Sequence, residues 1–257
     1  MAKRPPIRFD RKGHSVDPYS FAPIAAVLDG AYLFVSSLSS LLDPIAGPAS
    51  AALSVILVTV IVRLVLIPVG VSQARAELMR RRLAPRLRDL QRRYKANPDL
   101  LRRKTLELYT SEKASPLAGC LPTLLQAPVV STVYGLFILA DINGHANALL
   151  VEQLYGVPLG TSLMQALATG APASSLAVFA VLVAVLAAVA FLSRRIALGQ
   201  AGTEVGTAPP AVVGILSWLP FLTVVFSAVV PLAATLYLTV TTAWTLTERT
   251  VLRRMLS

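Results

Sequence analysis

Residues 49–71 read ASAALSVILVTVIVRLVLIPVGV, an apolar run interrupted by one basic residue, Arg63. Because a helix needs about 20 apolar residues to cross the hydrocarbon core of a bilayer, this run predicts the first membrane span. The composition agrees, since 55% of the 257 residues are hydrophobic and only 14% are charged. Soluble domains carry about 25% charged residues. We therefore expect an all-α integral membrane protein, which excludes most classes of soluble enzyme.

A strongly basic segment, residues 72–115, follows this span and carries thirteen Lys or Arg residues against five acidic ones. Apolar residues recur at helical spacing from Leu83 to Tyr94, and Asn97-Pro98 then supplies a helix cap with a first-turn proline. We predict a two-helix hairpin. Its charge places it in the cytoplasm by the positive-inside rule.

The arginines of this hairpin are candidates for contact with a partner. Three interpretations stay open: a solvated face with no partner, a contact with anionic lipid headgroups, and a contact with RNA or polypeptide. The sequence contains no RNA-reading motif that separates them. The candidate contact residues are Arg80, Arg81, Arg82, Arg86, Arg92, Arg93, Arg102 and Arg103.

Four further apolar segments bring the predicted number of spans to five. All basic clusters after residue 49 fall on one side of this arrangement, which predicts a cytoplasmic C-terminus. The segments after the hairpin are span two (116–140), an extracytoplasmic loop (141–172), span three (173–192), a cytoplasmic loop (193–210), span four (211–230), span five (231–250) and a short cytoplasmic tail (251–257).

The N-terminal segment supports two opposite placements. Residues 1–18 form a basic tail, which the positive-inside rule would keep in the cytoplasm, and a sixth span would then be required. Residues 19–45, however, carry an apolar stripe opposed by Asp29 and several serines, a pattern typical of an amphipathic helix in the membrane interface. We expect this interfacial helix, with its stripe in the acyl chains and with the N-terminus outside the cytoplasm.

Arg63 is the strongest candidate for a functional residue, because a guanidinium within a span costs about 2.5–3.5 kcal/mol on insertion. Snorkelling to the interface is one structural explanation, but Arg63 precedes Gln73 by ten residues, about 15 Å along a helix. An ion pair is the other, and the only acid in or beside a later span is Glu248, which adjoins Arg249 at a predicted helix end. We therefore predict that Arg63 is a functional charge in a hydrated groove.

Polar side chains in other spans are candidates to line the same groove, although helix packing is the simpler explanation for any single threonine. The two histidines, His14 and His145, are solitary, and the sequence has neither paired membrane carboxylates nor metal-ligand spacing. We therefore predict no catalysis, no cofactor and no metal. The predicted groove residues besides Arg63 are Thr59, Gln126, Thr235, Thr239, Thr242 and Thr245.

Three strings carry a family likeness: IVRLVLIP at 61–68, LAP at 83–85 and SPLAGCLP at 115–122. In order and spacing they resemble the YidC/Oxa/Alb family of membrane protein insertases, over roughly residues 20–254. The run SPLAGCLP after a basic hairpin is the most specific of the three. The resemblance implies a five-helix core around a hydrophilic groove that is open to the cytoplasm and to lipid and closed outside.

The resemblance also implies a mechanism and partners. In such insertases the arginine here numbered Arg63, with Thr59, attracts the polar extracellular portion of a nascent protein while its hydrophobic helix slides into lipid. Nascent membrane proteins would then be the substrate. A ribosome, a Sec-type translocon and anionic lipids are further candidate partners, and a monomer in the bacterial plasma membrane is the expected working unit.

The sequence departs from the family pattern in span five, where Leu236-Tyr237 is followed by Leu238 and the usual asparagine position is Thr242. This departure predicts a divergent paralogue with altered clients. Only three residues follow Arg254, so we expect the hairpin to make any ribosome contact. Two other functions stay open: a membrane-protein chaperone without insertion activity and, with less support, a small-solute transporter, for which neither inverted repeats nor membrane carboxylates are visible.

Overall fold

The structure is a computed structural model, and it is mostly helical, as predicted. It describes residues 22–112, 131–132, 135–142, 144–201 and 214–256. The predicted basic tail, the SPLAGCLP string and Gln126 lie outside the described residues. The helices are α1 (Ala22–Ala46), α2 (Ser50–Val65), α3 (Ile67–Arg93), α4 (Pro98–Ser111), α5 (Leu163–Ala168), α6 (Ala173–Ala201), α7 (Leu219–Ser227) and α8 (Leu232–Leu256), with 3-10 turns at Gly47–Ala49 and Ala148–Leu150.

Helices α1 and α2 form a helical hairpin around the 3-10 turn Gly47–Ala49 and pack against each other. Leu28 and Val35 of the predicted apolar stripe are buried in the contact between α1 and α2. The small side chains of Ala51 and Ala52 allow the two helices to approach each other closely there. The expectation that this stripe lies in acyl chains is therefore wrong for Leu28 and Val35, which helix packing buries, whereas Val27 of the same stripe is 57% exposed. The outward face of α1 is also apolar, with exposed Leu33, Phe34, Leu41 and Ile45. The interfacial placement of α1 stays a prediction.

Helix α2 continues almost directly into the basic segment. It ends at Val65, and after one turn residue, Leu66, helix α3 begins at Ile67. Pro68 stands in the first turn of α3, where its missing N–H needs no helical partner. No linker therefore separates Arg63 from the start of α3.

The basic segment consists of α3 and α4, which pack against each other. Asn97 caps α4, because its side chain accepts a hydrogen bond from the N–H of Leu100 at 3.1 Å, and Pro98 follows in the first turn as predicted. The predicted stripe is directed inward, with Leu83 buried and Leu87 half-buried. The stripe thus lies in the contact between α3 and α4, and most of the charged side chains lie on the surface.

The segment predicted as an extracytoplasmic loop contains two small antiparallel β-hairpins that the sequence analysis did not predict. Tyr155 and Gly156 form the two-residue turn of the second hairpin, with φ of 50° and 81°, the left-handed conformation that such a turn requires. Strands of two residues are too short to produce a periodic pattern in the sequence. The pairs are β1 (Asp141–Ile142) with β2 (His145–Ala146), and β3 (Gln153–Leu154) with β4 (Val157–Pro158).

The 141–172 segment closes one end of the helix bundle. The N–H groups of Leu232 and Ala233, at the start of α8, donate to the carbonyls of Thr161 and Leu159 at 2.9 and 3.0 Å. The buried side chain of Asn147 donates to two carbonyls near the end of predicted span two, at 2.6 and 3.0 Å. The core at this end includes Ile142, Leu149, Val157, Leu159, Phe179 and Leu232.

Helix α6 continues past the residue where the sequence predicts that span three ends. It runs over 29 residues, Ala173–Ala201, although a loop is predicted from residue 193. Two cation–π contacts lie in this continuation: Arg194 lies over Trp218 at 4.1 Å, and Arg195 lies over Phe191 at 4.8 Å. Both arginines are therefore accommodated within the helical arrangement and do not end it.

Two described segments are long and apolar enough to cross a membrane, Ile24–Val65 and Ala173–Gly199. The first comprises most of α1, the 3-10 turn and α2, and the second lies in α6. A shorter apolar helical stretch, Gly214–Ser227, falls within predicted span four. Helix α8 covers predicted span five and most of the predicted tail. The count of five spans stays a prediction.

Candidate functional site

Arg63 lies in the last turn of α2 and is half-buried. A cation at this end of a helix interacts favourably with the terminal carbonyl groups. Arg63 makes no side-chain hydrogen bond or ion pair with the residues that the structure describes. It lines a cavity of about 300 Å³ between α2, α3 and α8, which we call the Arg63 cavity. The other charged residues of this lining are Glu77, Arg81, Glu248, Arg249 and Arg253.

Glu248 lies in the Arg63 cavity, and the sequence analysis had placed it only beside Arg249 at a helix end. Its Oε2 accepts a hydrogen bond from Nε1 of Trp244, one turn earlier in α8, at 3.0 Å. Its Oε1 lies against α3 at Gly70, where a Cβ atom would overlap that oxygen. Glu248 forms no ion pair within the described part of the chain. The glycine therefore makes room for a carboxylate in the same cavity as Arg63.

Glu77 connects α3 to α8 at the edge of the Arg63 cavity. Its Oε1 accepts a hydrogen bond from Nη2 of Arg81 at 2.5 Å and from Nη2 of Arg253 at 3.3 Å. Partial burial acts to raise the pKa of Glu77, but the hydrogen bond and charge of Arg81, with the charges of Arg253 and Arg249, outweigh burial and hold the pKa below its usual value. Glu77 is therefore an anion at neutral pH and links the two helices there.

The predicted groove threonines lie on several surfaces. Thr245 lines the Arg63 cavity, whereas Thr59, 4% exposed, lines a separate apolar cavity of about 290 Å³ between α1, α2, α8 and the described part of predicted span two. Thr235 is buried and donates to a carbonyl of α7 at 3.1 Å, and Thr239 donates to a carbonyl within α8 at 2.8 Å. Thr242 lines a third cavity. Of the described threonines in the predicted set, only Thr245 shares a cavity with Arg63.

This third cavity lies on the other side of α8, between α6, α7 and α8, and we call it the three-helix cavity. Its volume is about 480 Å³, the largest of the three cavities. Thr245, Arg249 and Arg253 border both the three-helix cavity and the Arg63 cavity. One helix, α8, therefore contributes the polar residues that the two cavities have in common.

Comparison with known proteins shows that the sequence of this chain matches a protein family. The sequence model of the family described as 60Kd inner membrane protein matches residues 41–257. The chain belongs to this family. The matched range begins near the end of α1 and contains all of the residues that line the Arg63 cavity.

Members of the 60Kd inner membrane protein family named membrane protein insertase YidC are similar to this chain. The protein of Clostridium perfringens (strain 13 / Type A) is 32% identical over 112 residues, which cover 43% of this chain and 45% of that protein. The protein of Francisella tularensis subsp. novicida (strain U112) is 40% identical over 82 residues, which cover 32% of this chain and 15% of that protein. The matched part of the chain thus spans less than half the length of each of these relatives.

In this 60Kd family member, most of the predicted contact arginines lie on the surface of α3 and α4. Arg81 is instead half-buried and pairs with Glu77, and the side chain of Arg80 lies outside the described part of the structure. The exposed ones are Arg82, Arg86, Arg92, Arg93, Arg102 and Arg103. Arg86 also pairs with Glu112, after the end of α4. These side chains form a basic, solvent-facing surface.

Three residues of the site were not predicted from the sequence of this family member. Glu77 and Glu248 each have a partner one turn away, Arg81 and Trp244, and that spacing is visible in the sequence. The packing of α3 on α8 brings both acids to one cavity, and no local pattern encodes it. Gly70 has no distinguishing signal at all. Among the described residues, no group of three or more His, Cys, Asp or Glu side chains could hold a metal ion.

Proposed function

We propose that this chain is a membrane protein insertase, which moves hydrophobic helices of nascent membrane proteins into the bilayer through the Arg63 cavity. The observation that carries the proposal is Arg63 itself, a cation with no partner among the described residues, in a polar cavity between three helices. Membership of the 60Kd inner membrane protein family and similarity to proteins named insertase support it.

The Arg63 cavity would lower the barrier to translocation in two ways. Its polar walls replace part of the hydrocarbon, so the polar residues of a client cross a shorter apolar distance. Arg63 offers a positive charge to the client's carboxylates, and in a partly desolvated cavity this attraction is stronger than in bulk water. The transfer of apolar client residues into lipid is favourable and supplies the driving force.

The packed 141–172 segment supports a closed outer end of the bundle. Because its backbone is hydrogen-bonded to the start of α8, a client would leave the Arg63 cavity sideways into lipid. We place the chain in the bacterial inner membrane as a five-span monomer, with the C-terminus in the cytoplasm and the N-terminus outside. The basic surface of α3 and α4 would receive the client first, and a ribosome, a Sec-type translocon or anionic headgroups are its other proposed partners.

Reconstitution of the full chain alone into liposomes tests this proposal. A single-span client with an acidic translocated segment is synthesised in the presence of these vesicles, and protease protection measures how much of that segment has crossed. A protected fragment is expected with the chain present and not with empty liposomes. Client binding without a protected fragment would identify a chaperone and would overturn the insertase proposal.

Arg63→Ala is expected to reduce insertion of this acidic client by roughly tenfold, the effect of ~1.4 kcal/mol on a rate. Arg63→Lys should retain most of the activity, because a point charge is sufficient to attract a carboxylate. Arg195→Ala, at an exposed position of α6 outside the lining of the Arg63 cavity, is the matched control and should insert normally. Normal insertion by the Arg63→Ala protein would show that the charge has no part in the reaction.

A further inference from the structure

We propose that the three-helix cavity binds one anionic phospholipid, with its phosphate at the arginine-bearing end of α8 and an acyl chain along α6. This site lies on the opposite side of α8 from the Arg63 cavity. The proposal does not depend on the insertase function, because its argument does not use Arg63, although Thr245, Arg249 and Arg253 border both cavities.

One part of the three-helix cavity is apolar. Leu186, Val189 and Ala190 of α6 line it with Pro220 of α7 and Leu246 of α8. A wall of this composition suits a hydrocarbon chain. The volume of about 480 Å³ also falls within the range of about 300–1,000 Å³ that is typical of ligand sites.

The other part of the cavity carries three arginines from the last turns of α8, Arg249, Arg253 and Arg254. Arg253 is engaged by Glu77, whereas Arg249 and Arg254 form no ion pair with a described residue. No acidic side chain occurs in the described lining to balance them. Guanidinium groups recognise phosphate with paired hydrogen bonds, so a phosphate is the anion that this end fits.

The apolar and basic parts meet where a membrane interface is expected. Arg194 of α6 lies over the ring of Trp218 at 4.1 Å, and tryptophan prefers the headgroup level of a bilayer. The α6 lining extends from Leu186 to Ala197, about 16 Å along a helix, and so passes the level of Arg194. The cavity therefore reaches from acyl-chain depth to headgroup depth.

This arrangement fits a phospholipid better than two other candidate occupants, a free anion and a client helix. A free anion would use only the arginine end and would leave the apolar wall unfilled. A hydrophobic client helix would fill the wall but would bring no anion to match the arginines. Basic pockets between membrane helices on the cytoplasmic side are a known class of anionic headgroup site, and α8 carries its arginines on the side predicted to be cytoplasmic.

Native mass spectrometry of the full chain, released from detergent micelles containing phosphatidylglycerol or phosphatidylcholine, tests the proposal. We expect one retained phosphatidylglycerol per chain and little phosphatidylcholine. The double variant Arg249→Gln, Arg254→Gln should bind phosphatidylglycerol roughly thirtyfold more weakly, the effect expected from the loss of two arginines at a lipid headgroup. Arg75→Gln, Arg195→Gln removes the same charge from exposed positions outside the cavity lining and should bind normally.

A second pair of variants tests the apolar wall without changing charge. Val189→Trp fills the apolar part of the cavity from a half-buried position of α6 and should also weaken retention, whereas Ala180→Trp, exposed on α6 but outside the cavity lining, should not. Equal retention of both lipids, or unchanged retention in the Arg249/Arg254 double variant, would overturn the proposal. Displacement of the lipid by millimolar inorganic phosphate alone would identify a free-anion site, and displacement by a client helix would identify a client site; either would also overturn it.

Discussion

Glu248 lowers the positive charge of the Arg63 cavity, an effect that its position in the sequence does not indicate. Glu77 and its two arginine partners leave a net charge of +1, and Arg63, Arg249 and Glu248 leave another +1. A resident carboxylate weakens the attraction of the cavity for a client carboxylate, and it also weakens the repulsion of a client lysine. Glu248 would therefore make the cavity tolerant of clients that carry either charge.

Glu248→Gln should shift the client preference of this protein toward acidic translocated segments. The insertion of each client should change by between about twofold and about fifteenfold, upward for the acidic client and downward for the lysine-bearing client, so the ratio of the two should rise by at least about fourfold. Coulomb's law gives this range for one unit charge at roughly 10 Å in a water-like and in a protein-like medium. Protease protection in liposomes with the two clients, otherwise identical, measures the ratio.

Two further variants separate the charge of Glu248 from its position. Glu152→Gln removes the same charge from an exposed site in the 141–172 segment and should leave the ratio unchanged. Trp244→Phe keeps the charge but removes the hydrogen bond that positions it, and a smaller rise is expected. If Glu248→Gln inserts both clients in the wild-type ratio, Glu248 has no role in client preference.

Among the elements, α3 is fixed at one end and less restrained at the other. Its start packs on α8 and is linked to it by Glu77 and Arg253, whereas the main contacts of α4 are with α3. Segments with few buried apolar contacts open at low free-energy cost. The end of α3 and all of α4 are therefore expected to be the least stable helical part of the described chain.

Hydrogen exchange in nanodiscs should show a gradient along this hairpin, with α4 exchanging faster than residues 67–81 of α3. Glu77→Gln should extend the fast exchange to residues 67–81, because it removes the negative charge of the ion pair that joins α3 to α8. Glu107→Gln, which loses only the ion pair with Lys104 inside α4, is the control and should leave residues 67–81 protected. Uniform protection of the whole hairpin would contradict this prediction.

The ion pairs of Glu77 with Arg81 and Arg253, which we call the Glu77 link, stabilise the protein in a way that depends on pH. Since the pKa of Glu77 is lowered in the folded chain, the contribution of the link to stability is complete above the ordinary pKa of 4.5. It is lost as the pH falls below that value and through the lowered pKa. Hydrogen-exchange rates along the hairpin, measured at pH 7 and at pH 6, should therefore differ only by the intrinsic pH dependence of amide exchange.

Helix α1 gives a test of the position of the N-terminus. His145 in β2 lies 3.6 Å from Asp29 and has its ring centroid 5.1 Å from that of Tyr32, so α1 contacts the segment predicted to be extracytoplasmic. A cysteine at Ser15, in a Cys120→Ala background, should therefore react with a membrane-impermeant thiol reagent in intact cells. A cysteine at Ser111, at the end of α4, is the control for the cytoplasmic side. Labelling of Ser15→Cys only after cell lysis would establish a cytoplasmic N-terminus and a sixth span.

For the molecule as a whole, the sequence predicted the features that depend on local pattern. The helical content and the Asn97 cap follow from composition and local pattern, and the structure confirms them. The family was predicted from short strings of residues, and the match over residues 41–257 confirms it. Arg63 was chosen because a charge in an apolar run is costly, and the structure places it in a polar cavity.

What the sequence could not predict depends on contacts between distant helices. The stripe of α1 has the same periodicity whether it faces lipid or another helix, so the pattern could not indicate that α2 covers part of it. Threonines at helical spacing likewise do not reveal which cavity each one faces, and Thr59 and Thr245 face different ones. Glu248 meets Gly70 only because α8 packs on α3.

The hairpin of α1 and α2 determines the order in which the molecule can be assembled. Neighbours in sequence need little loop closure, so this pair can form as soon as both helices have been synthesised. Helix α8, which completes the wall beside Arg63, begins more than 160 residues after α2 ends. Until α8 arrives, the guanidinium of Arg63 has only lipid, water and the earlier helices around it. The Arg63 cavity is therefore among the last parts of the molecule to assemble, and a chain truncated before α8 would leave that charge unenclosed in the membrane.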